Sequence, residues 1–313
     1  MRSSLFRLPC GVARGFCLYG VAGLCLGLIA LNACAAPLLC FARDKNVYVC
    51  SLDGTGERLV VQGGTDPEIS PDGTRIAYTD NYGEGRRIAL KDLTGDKTTI
   101  FKNLPSENAY GPTWSPDGQS LLFQILSGSH WGLALITVKD ASVTRVKIPG
   151  TDEEDVFSPA WSADGQTIFC QDLTDLYQVD LNGKIKARWR LSSLLPRADM
   201  NSNDRIQPAE NNKFFFLDVQ LDQDGPIEGW EGPPAAIVVV DIEAREVRQL
   251  TPPNLYGWGV WRLNDNEVLF TGTEDGQNFS IYQIALDSGE AKKLVATGSN
   301  PSASRKVEAP SKP

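Results

Sequence analysis

The sequence predicts an all-β protein, a six-bladed β-propeller of four-stranded antiparallel blades. A tight-turn motif recurs about every 45 residues, four short strands can be assigned to each copy, and residues 36–304 accommodate six copies. A repeat period of a few tens of residues indicates a repeat architecture. Four strands per repeat are the composition of a propeller blade.

The repeat is marked by a Ser-Pro-Asp-Gly or Ser-Ala-Asp-Gly turn and by the strands on either side of it. The clearest copies occupy residues 66–78, 111–123 and 158–170, and weaker copies occupy residues 206–216 and 258–270. Proline fixes φ, aspartate bonds to the local backbone and glycine supplies a positive φ, which together favour a tight turn. We therefore interpret Asp72, Asp117 and Asp164 as turn residues and not as catalytic carboxylates.

Each turn joins the first and second strands of a blade. A third strand follows, and the predicted third strands are residues 87–92, 133–138, 175–181, 237–242 and 281–286. A fourth strand completes the unit, as in residues 247–251. Trp114, Trp161 and Trp261 occupy equivalent first-strand positions, so we expect them in the core between blades.

The two ends of the repeat region complement each other. Residues 38–41, 46–52 and 57–61 have the pattern of the second, third and fourth strands of a blade without its first strand. Residues 300–304 have the pattern of a first strand that stops before its turn. We therefore predict that both ends share one blade, which closes the ring and leaves no open sheet edge. The tail, residues 305–313, is expected to be disordered.

Two cysteines lie on neighbouring strands of the shared blade. Cys40 and Cys50 are placed symmetrically about a turn near Lys45, so they could face each other and form a disulfide in an oxidising compartment. The alternative is two free thiols in a tightly packed blade. Cys170 occupies a core strand position and is expected to be a buried thiol.

The first 35 residues have the pattern of an export signal. Arg2, Arg7 and Arg14 precede or adjoin an apolar stretch over residues 15–33, and the first acidic residue is Asp44. A basic segment, an apolar segment and small residues after it are typical of a secretory signal peptide. An uncleaved signal anchor is an alternative interpretation.

Two cleavage routes compete at the end of this segment. Ala33-Cys34-Ala35 has the A-x-A pattern of a site that would release a soluble periplasmic protein. The preceding residues, ending at Cys34, resemble a bacterial lipobox, in which Cys34 would carry a lipid. We expect the soluble form, because the first strand starts so close to Cys34 that a lipid anchor would have almost no tether. A membrane-anchored lipoprotein is the alternative.

Charge and histidine content exclude several function classes. The formal charge is −9, whereas a nucleic-acid-binding surface must be basic. The single histidine, His130, excludes sites built from two or more imidazoles. It follows Ser127-Gly-Ser without a G-x-S-x-G elbow, so we interpret it as an exposed loop residue and not as a catalytic base.

No cofactor is expected from the sequence. The stretch Asp222-Gln-Asp224-Gly225 is similar to part of a calcium loop, but it lacks the glutamate and the full ligand spacing. Carboxylate pairs could support glycoside hydrolysis, but no spacing singles out a pair. We therefore assign no catalytic residue and no metal ligand, and we do not expect an enzyme.

The pattern Pro-x-Trp-Ser-Pro-Asp-Gly followed by apolar residues resembles the TolB-type propeller repeat. Similar repeats occur in the propellers of prolyl-oligopeptidase-like enzymes and in oligogalacturonate lyases. The resemblance implies a periplasmic propeller that binds proteins, since TolB acts with the lipoprotein Pal and the Tol membrane complex. We expect neither the α/β domain of TolB nor a hydrolase domain here, because the blades start soon after the signal and fill the chain. The lyases use several histidines, whereas this chain has one.

The loops between blades, and those between second and third strands, share one face of a propeller, and here they hold the irregular sequence. The longest insertion covers residues 220–234. We expect an acidic rim with aromatic anchors on this face, where the alternative is a solvated surface with scattered aromatic residues. The candidate partner-binding residues are His130, Trp131, Asp152, Glu153, Glu154, Asp155, Asp222, Asp224, Trp230, Tyr256 and Trp258.

Six residues just before the first strands are expected to approach the central channel. These are Asp66, Gly111, Ser158, Asp204, Trp258 and Asn300. Of these, Asp66, Asp204 and Asn300 are the candidates for polar contacts at the channel mouth. The predicted function is a monomeric protein-interaction module of the bacterial cell envelope with a protein or peptide partner, for which a basic surface would suit the acidic rim. The alternative is a carbohydrate-binding protein or enzyme that uses Trp131, Trp230 and Trp258 as stacking platforms.

The anchoring question has a direct test in the variant Cys34→Ser. A lipoprotein loses its only lipidated residue in this variant and moves from the membrane fraction to the soluble fraction. A protein that is cleaved at the A-x-A site distributes identically before and after the change. We expect the second result, measured by fractionation and immunoblotting. Release of the variant from the membrane would contradict the soluble form.

Overall fold

The described part of the chain forms a closed ring of antiparallel sheets. The structure, a computed structural model, describes residues 36–149, 155–228 and 230–305. These residues form six sheets that follow one another along the chain, which confirms the all-β propeller. Five sheets have four strands and one has five. The predicted signal with Cys34, the tail beyond residue 305, and Asp152, Glu153 and Glu154 lie outside the described residues.

Strands are numbered in chain order. The N-terminal part of the closing blade holds β1 (Leu38–Arg43), β2 (Asn46–Ser51) and β3 (Arg58–Gln62). Blade 1 holds β4 (Gly64–Ile69), β5 (Arg75–Tyr82), β6 (Gly85–Asp92) and β7 (Thr98–Ile100). Blade 2 holds β8 (Ala109–Trp114), β9 (Ser120–Ser127), β10 (His130–Thr137) and β11 (Ser142–Val146). Blade 3 holds β12 (Phe157–Trp161), β13 (Thr167–Gln171), β14 (Asp175–Asp180) and β15 (Ile185–Arg190).

Blade 4 departs from the repeat. After the short helix α1 (Leu191–Leu194) it holds β16 (Ala198–Asp199), β17 (Ile206–Ala209), β18 (Phe214–Leu221), β19 (Ala235–Asp241) and β20 (Glu246–Gln249). Both β16 and β17 pair with β18, so the blade has an additional inner segment. Blade 5 holds β21 (Tyr256–Arg262), β22 (Glu267–Thr273), β23 (Ser280–Ala285) and β24 (Ala291–Val295). The closing blade is completed by β25 (Ser299–Ala303).

The repeated turn is held by a serine–aspartate pair. In blade 2, the Ser115 hydroxyl donates to Asp117 Oδ1 at 2.6 Å and the Gln119 N–H donates to the same oxygen at 3.0 Å. The Ser115 oxygen in turn accepts the Ser120 N–H at 2.9 Å, and Gly118 has a φ of +67°. These donors favour the ionised carboxylate, and the hydrogen bond from Ser115 is the main reason that the pKa of Asp117 is lowered.

The apolar core lies between neighbouring blades. One cluster joins Ala77 and Ile88 of blade 1 to Trp114 and Phe123 of blade 2. The Trp114 indole N–H donates to the Glu68 carbonyl at 3.0 Å, so the buried ring has a polar partner in the preceding blade. A blade therefore buries both faces only when it has a neighbour on each side.

The other two tryptophans of this set follow the same arrangement. The Trp161 indole N–H donates to the Thr113 carbonyl of blade 2 at 3.2 Å, and its ring packs against the cluster between blades 2 and 3. Trp261 of blade 5 packs against the cluster shared with the closing blade. The repeated tryptophan position is thus an inter-blade contact.

The ring is closed by strand β25, as predicted. It pairs antiparallel with β1, with Leu39 opposite Ala303 and Cys40 opposite Ser302. The Leu38 N–H donates to Ser304 Oγ at 2.9 Å, and the Ser304 N–H donates to the Leu38 carbonyl at 2.9 Å. This pairing joins segments at opposite ends of the described chain and covers the edge of β1 that would otherwise be open.

The predicted disulfide is wrong. Cys40 and Cys50 are free, buried thiols, because the β1–β2 hairpin pairs Cys40 with Val49 and Leu39 with Cys50. The turn consists of Asp44 and Lys45, which have φ values of 52° and 57°, so its centre falls between these residues and not at Lys45. This shift of one residue turns the two thiols to opposite faces of the blade. Burial raises the pKa of both thiols.

His130 is also placed differently from the prediction. It is the first residue of β10 and pairs with Ser127, so the turn contains only Gly128 and Ser129. Cys170 is a free, buried thiol, in agreement with its strand position. Within the described ranges, the structure has no helix with the length and apolar character needed to cross a bilayer.

The turn mechanism predicts a cost for Asp117→Ala. The substitution removes the acceptor for two hydrogen bonds, and we expect it to lower the free energy of unfolding by about 1–2 kcal/mol. Glu290→Ala is the matched control, because it removes an exposed carboxylate from another turn. Urea unfolding of the two variants measures the difference. Equal stability of both variants would contradict the role given to Asp117.

Candidate functional site

A cavity occupies one end of the central channel, and all six blades contribute to its wall. We call the side with the inter-blade loops and the second-to-third-strand hairpins the upper face, and the opposite side the lower face. The cavity has a volume of about 510 Å³. Its wall includes Asp66 and Glu68 of β4, Thr113 of β8, Ser158 of β12, Gln207 of β17, Gly259 of β21 and Asn300 of β25.

Five innermost strands carry a β-bulge at the same place on the channel wall. The bulge residues have left-handed backbones, and they are Asp66 (φ 47°), Gly111 (φ 62°), Ser158 (φ 57°), Gly259 (φ 67°) and Asn300 (φ 51°). Strand pairing shifts register at each of these positions. A left-handed backbone costs a residue with a side chain about 1–2 kcal/mol, and such strain is concentrated at functional sites.

The bulges correct and extend the predicted channel positions. Asp66, Gly111, Ser158 and Asn300 line the cavity, but they lie within the innermost strands and not before them as predicted. In blade 5 the left-handed residue is Gly259, and the predicted Trp258 precedes it. Blade 4 has no such bulge, since β17 pairs with β18 in regular register. Asp204, which precedes β17, still lines the cavity.

Side chains at the fifth residue of several second strands bind the bulge of the next blade. Thr79 Oγ1 accepts the Gly111 N–H at 3.0 Å, and Thr271 Oγ1 accepts the Asn300 N–H at 2.9 Å. In blade 4 the equivalent residue is Asp218, whose two oxygens accept the N–H groups of Gly259 and Val260 at 2.7 and 2.8 Å. These contacts join neighbouring blades at the channel wall. They also bring a carboxylate to the cavity in one blade only.

Asp218 and Asp204 form a buried acidic pair. Asp218 is 1% exposed and also accepts the Arg205 N–H at 3.1 Å. Asp204 accepts the Asn201 N–H at 2.7 Å and the Gln220 amide at 3.2 Å. Burial, together with the neighbouring Asp218 carboxylate, raises the pKa of Asp204. Burial also raises the pKa of Asp218, although the backbone donors favour its charged form.

A third buried carboxyl group, Glu68, lies deeper in the channel. It is 6% exposed, and its Oε1 accepts the Thr113 hydroxyl at 3.0 Å and the Trp114 N–H at 2.7 Å. Burial raises the pKa of Glu68 to about 7. Arg205 extends from blade 4 across the channel, where its guanidinium donates to the Pro301 carbonyl at 3.3 Å.

An aromatic row lies on one side of the mouth, and it consists of Trp230, Trp258 and Phe279. The Trp230 and Trp258 rings are 6.1 Å apart, and the Trp258 and Phe279 rings are 5.3 Å apart. Tyr256 packs edge-on against Trp230 at 5.1 Å. Tyr256 is only 2% exposed, so it supports the row and does not itself offer a contact surface, contrary to its predicted role.

A second aromatic group lies at blade 2, opposite blade 5 in a six-bladed ring. Tyr110 and Trp131 pack edge-on with centroids 5.1 Å apart, and the Arg86 guanidinium lies 4.0 Å from the Tyr110 centroid. The Trp131 N–H donates to Asp155 Oδ1 at 2.6 Å. His130 Nδ1 lies 3.7 Å from the same carboxylate oxygen.

The predicted site residues therefore fall into three places. Asp66, Asp204, Asn300, Trp230 and Trp258 line the central cavity. His130 and Trp131 line a separate pocket of about 210 Å³ at blade 2. Asp222 and Asp224 line an open cleft of about 460 Å³ beside the blade-4 insertion. Four further residues of the site were not predicted from the sequence, namely Glu68, Asp218, Arg205 and Phe279.

One signal could have revealed Asp218. The fifth positions of the second strands are Thr79, Gln124, Gln171, Asp218 and Thr271, and an alignment of the repeats would have shown one acid among neutral polar residues. The described residues contain no group of three or more His, Cys, Asp or Glu side chains arranged to hold a metal ion. The cavity wall instead combines carboxyl groups, amides, two arginines and tryptophan rings, which is suited to binding a polar organic group.

The raised pKa of Glu68 predicts a pH effect on stability. The folded protein keeps this proton up to about pH 7, whereas the unfolded chain releases it near its ordinary pKa of 4.5. The contribution of Glu68 to the free energy of unfolding is therefore largest below pH 4.5. It falls as the pH rises from 4.5 to about 7. Glu68→Gln should reduce this fall by up to about 1.4 kcal/mol per pH unit. Urea unfolding at pH 5 and pH 7 measures it, with Glu290→Gln as an exposed control, and an unchanged slope in Glu68→Gln would overturn the assignment.

Comparisons with known proteins agree with this architecture. No family model matches the sequence. TolB from Acinetobacter baumannii has a similar structure with a TM-score of 0.66 and 18% sequence identity, over 87% of this chain and 67% of that chain. The putative TolB from Agrobacterium tumefaciens has a TM-score of 0.57 and 15% identity, over 85% of this chain and 90% of that chain.

A third similar structure is not a TolB protein. A chain of a nidogen/laminin complex has a TM-score of 0.63 at 9% identity, over 87% of this chain and 99% of that chain. Identities of this size show a common fold alone. The resemblance noted in the repeat thus extends to the three-dimensional structure, and this chain is a β-propeller with the fold of the TolB structures.

Proposed function

We propose that this protein is an exported propeller of the bacterial cell envelope that binds a protein or peptide partner at its upper face. The observation that carries the proposal is the cavity of about 510 Å³ at the channel mouth, with an aromatic row on one side and Tyr110 on the other. Protein interfaces use partly exposed aromatic anchors within a polar rim. The rim here is polar and acidic.

The construction of the mouth also supports binding. Left-handed bulges with side chains, such as Asp66 and Asn300, are strained, and strained backbones are concentrated at functional sites. The chain of the nidogen/laminin complex provides a precedent for this fold in a protein assembly. The pattern of the first 35 residues supports a periplasmic location, with a lipid on Cys34 as the alternative.

A second candidate is carbohydrate binding in the same cavity. The cavity wall that includes the Trp230–Trp258 pair also contains side-chain amides, which belong to Gln207, Gln220 and Asn300. Planar amides are suited to sugar hydroxyls, and partly exposed indole rings are suited to sugar faces. The lone histidine lies in the blade-2 pocket and not in the cavity wall, which favours binding over catalysis.

Site-specific photocrosslinking distinguishes these functions. A benzophenone amino acid at position 279, in the aromatic row, should yield a protein adduct in intact cells. The same group at position 181, in the lower-face turn between β14 and β15, should yield none. An adduct only at position 181, or none at either position, would overturn the proposal. Quenching of tryptophan fluorescence by an oligosaccharide, without any protein adduct, would favour the second candidate.

Replacement of the central anchor should weaken capture. We expect Trp230→Ala to lower the yield of the adduct at position 279 at least about tenfold, as for a central interface aromatic. Phe279→Ser, tested with the crosslinker at position 258, is a second variant that changes only an exposed side chain. The melting temperature of each variant controls for unfolding. Retained capture in both variants would move the site away from the row.

A further inference from the structure

We propose that the partner presents a basic, extended peptide segment, and that this segment docks off the ring axis on the aromatic row. The carboxylates of the blade-4 insertion, residues 222–228 and 230–234, would flank the bound segment. This inference rests on the proposed function and adds the chemistry of the partner and the place where it binds.

The aromatic row is a contiguous, partly exposed apolar surface. Trp230 and Trp258 are half-buried, and Phe279 is 39% exposed. Their rings are 6.1 and 5.3 Å apart in succession. Alternate side chains of an extended peptide are about 6.7 Å apart, so such a peptide could place side chains on successive rings. Single exposed apolar residues are ordinary, but a contiguous row indicates a contact surface.

The row is held in place before any partner arrives. The insertion reaches from blade 4 to blade 5, where the Ile227 N–H donates to the Tyr256 hydroxyl at 3.3 Å. The Trp230 indole N–H donates to the Pro233 carbonyl at 3.1 Å, which fixes the ring within its own loop. A Cβ at Gly276 would lie 3.4 Å from Trp230 Cε3, so the blade-5 hairpin packs closely against the ring. Preorganisation of this kind reduces the entropy lost on binding.

The loop that carries Trp230 is acidic. Between Lys213 and Arg245 the sequence contains no Lys, Arg or His. The insertion contributes the exposed carboxylates Asp222, Asp224, Glu228 and Glu231. Within the described part of the chain, none of these four carboxylates has an ion-pair partner.

The neighbouring blade-5 hairpin adds two more acids and one nearby cation. Glu274 pairs with Lys293 at 3.3 Å. Asp275 accepts the Asn278 and Gln277 N–H groups at 2.8 and 2.9 Å, and these bonds, with Asn278 foremost, lower its pKa. The insertion and the blade-5 hairpin therefore carry more acids than cations at neutral pH. Their charge attracts a segment that alternates basic and apolar residues and repels an acidic one.

Basic side chains have a second partner in the row itself. Lysine and arginine side chains bind favourably over the faces of tryptophan rings. Their aliphatic stems cover apolar surface while their charged ends reach carboxylates at the rim. Because Trp230 and Trp258 also line the central cavity, a segment on the row would lie directly beside the channel mouth.

A defined peptide tests the inference without knowledge of the natural partner. The probe is a fluorescein-labelled heptapeptide of alternating lysine and leucine, titrated against the mature protein by fluorescence anisotropy. We expect it to bind at least about tenfold more tightly than peptides in which glutamate replaces lysine or serine replaces leucine. Equal binding of the lysine–serine peptide would reduce the interaction to general charge attraction and overturn the inference.

Matched variants locate the probe. Asp224→Asn with Glu228→Gln should weaken binding about tenfold, since two favourable surface charge pairs are lost. Glu243→Gln with Glu246→Gln removes two exposed carboxylates from the lower-face end of the same blade, and should leave the affinity unchanged. Phe279→Ser should weaken binding without changing the melting temperature. Equal effects of the two double variants would also overturn the inference.

The two proposals fail separately. A protein adduct at position 279 together with no preference for the lysine–leucine peptide supports the proposed function and overturns the basic segment. Absence of any upper-face adduct overturns the proposed function itself. Selective peptide binding that responds to the insertion carboxylates supports the inference.

Discussion

Closure of the ring is the constraint on which the structure depends. A single four-stranded blade cannot bury both of its faces, and each inter-blade cluster takes its apolar residues from two neighbours. The pairing of β25 with β1 is therefore more than an end contact, because it supplies the closing blade with its innermost strand. The Ser302 hydroxyl also accepts the Ile69 N–H at 3.1 Å, which ties the closing strand to blade 1.

The candidate site arises where one blade departs from the repeat that builds the ring. Blades 1 and 5 use threonine to bind the next bulge, whereas blade 4 uses Asp218 and so brings charge into the channel. The same blade lacks the bulge, has the additional strand β16 and carries the insertion with Trp230. The regular blades thus provide the ring and part of the site, including Glu68 and Trp258, and the irregular blade adds Asp218 and Trp230. Variation of this kind on a common frame is typical of folds that host many functions.

The features that were predicted correctly from the sequence are those that depend on local interactions. The turn around Asp117 needs only neighbouring residues. The repeat of that turn, the strand pattern of the two ends and the length of residues 36–304 together predicted the six blades. The disulfide prediction failed because a hairpin register depends on the turn type, and a shift of one residue reverses the direction of a side chain. Burial of Glu68 was not predictable from its own strand, because the groups that cover it belong to blade 2. Tyr256 was misjudged for the same reason, since the insertion covers it from blade 4.

The position of β25 in the chain has a consequence for how the protein reaches its native state. Leu38 and Ser304, which are hydrogen-bonded, are separated by 266 positions along the chain. Contacts between such distant segments form slowly, because the entropy of closing a long loop must be overcome first. Five blades can assemble from local hairpins, whereas the edge of β1 and one face of blade 5 stay uncovered until β25 pairs. Chains truncated before Ser299 would keep this seam open, and so would be substrates for proteases and prone to pair with one another.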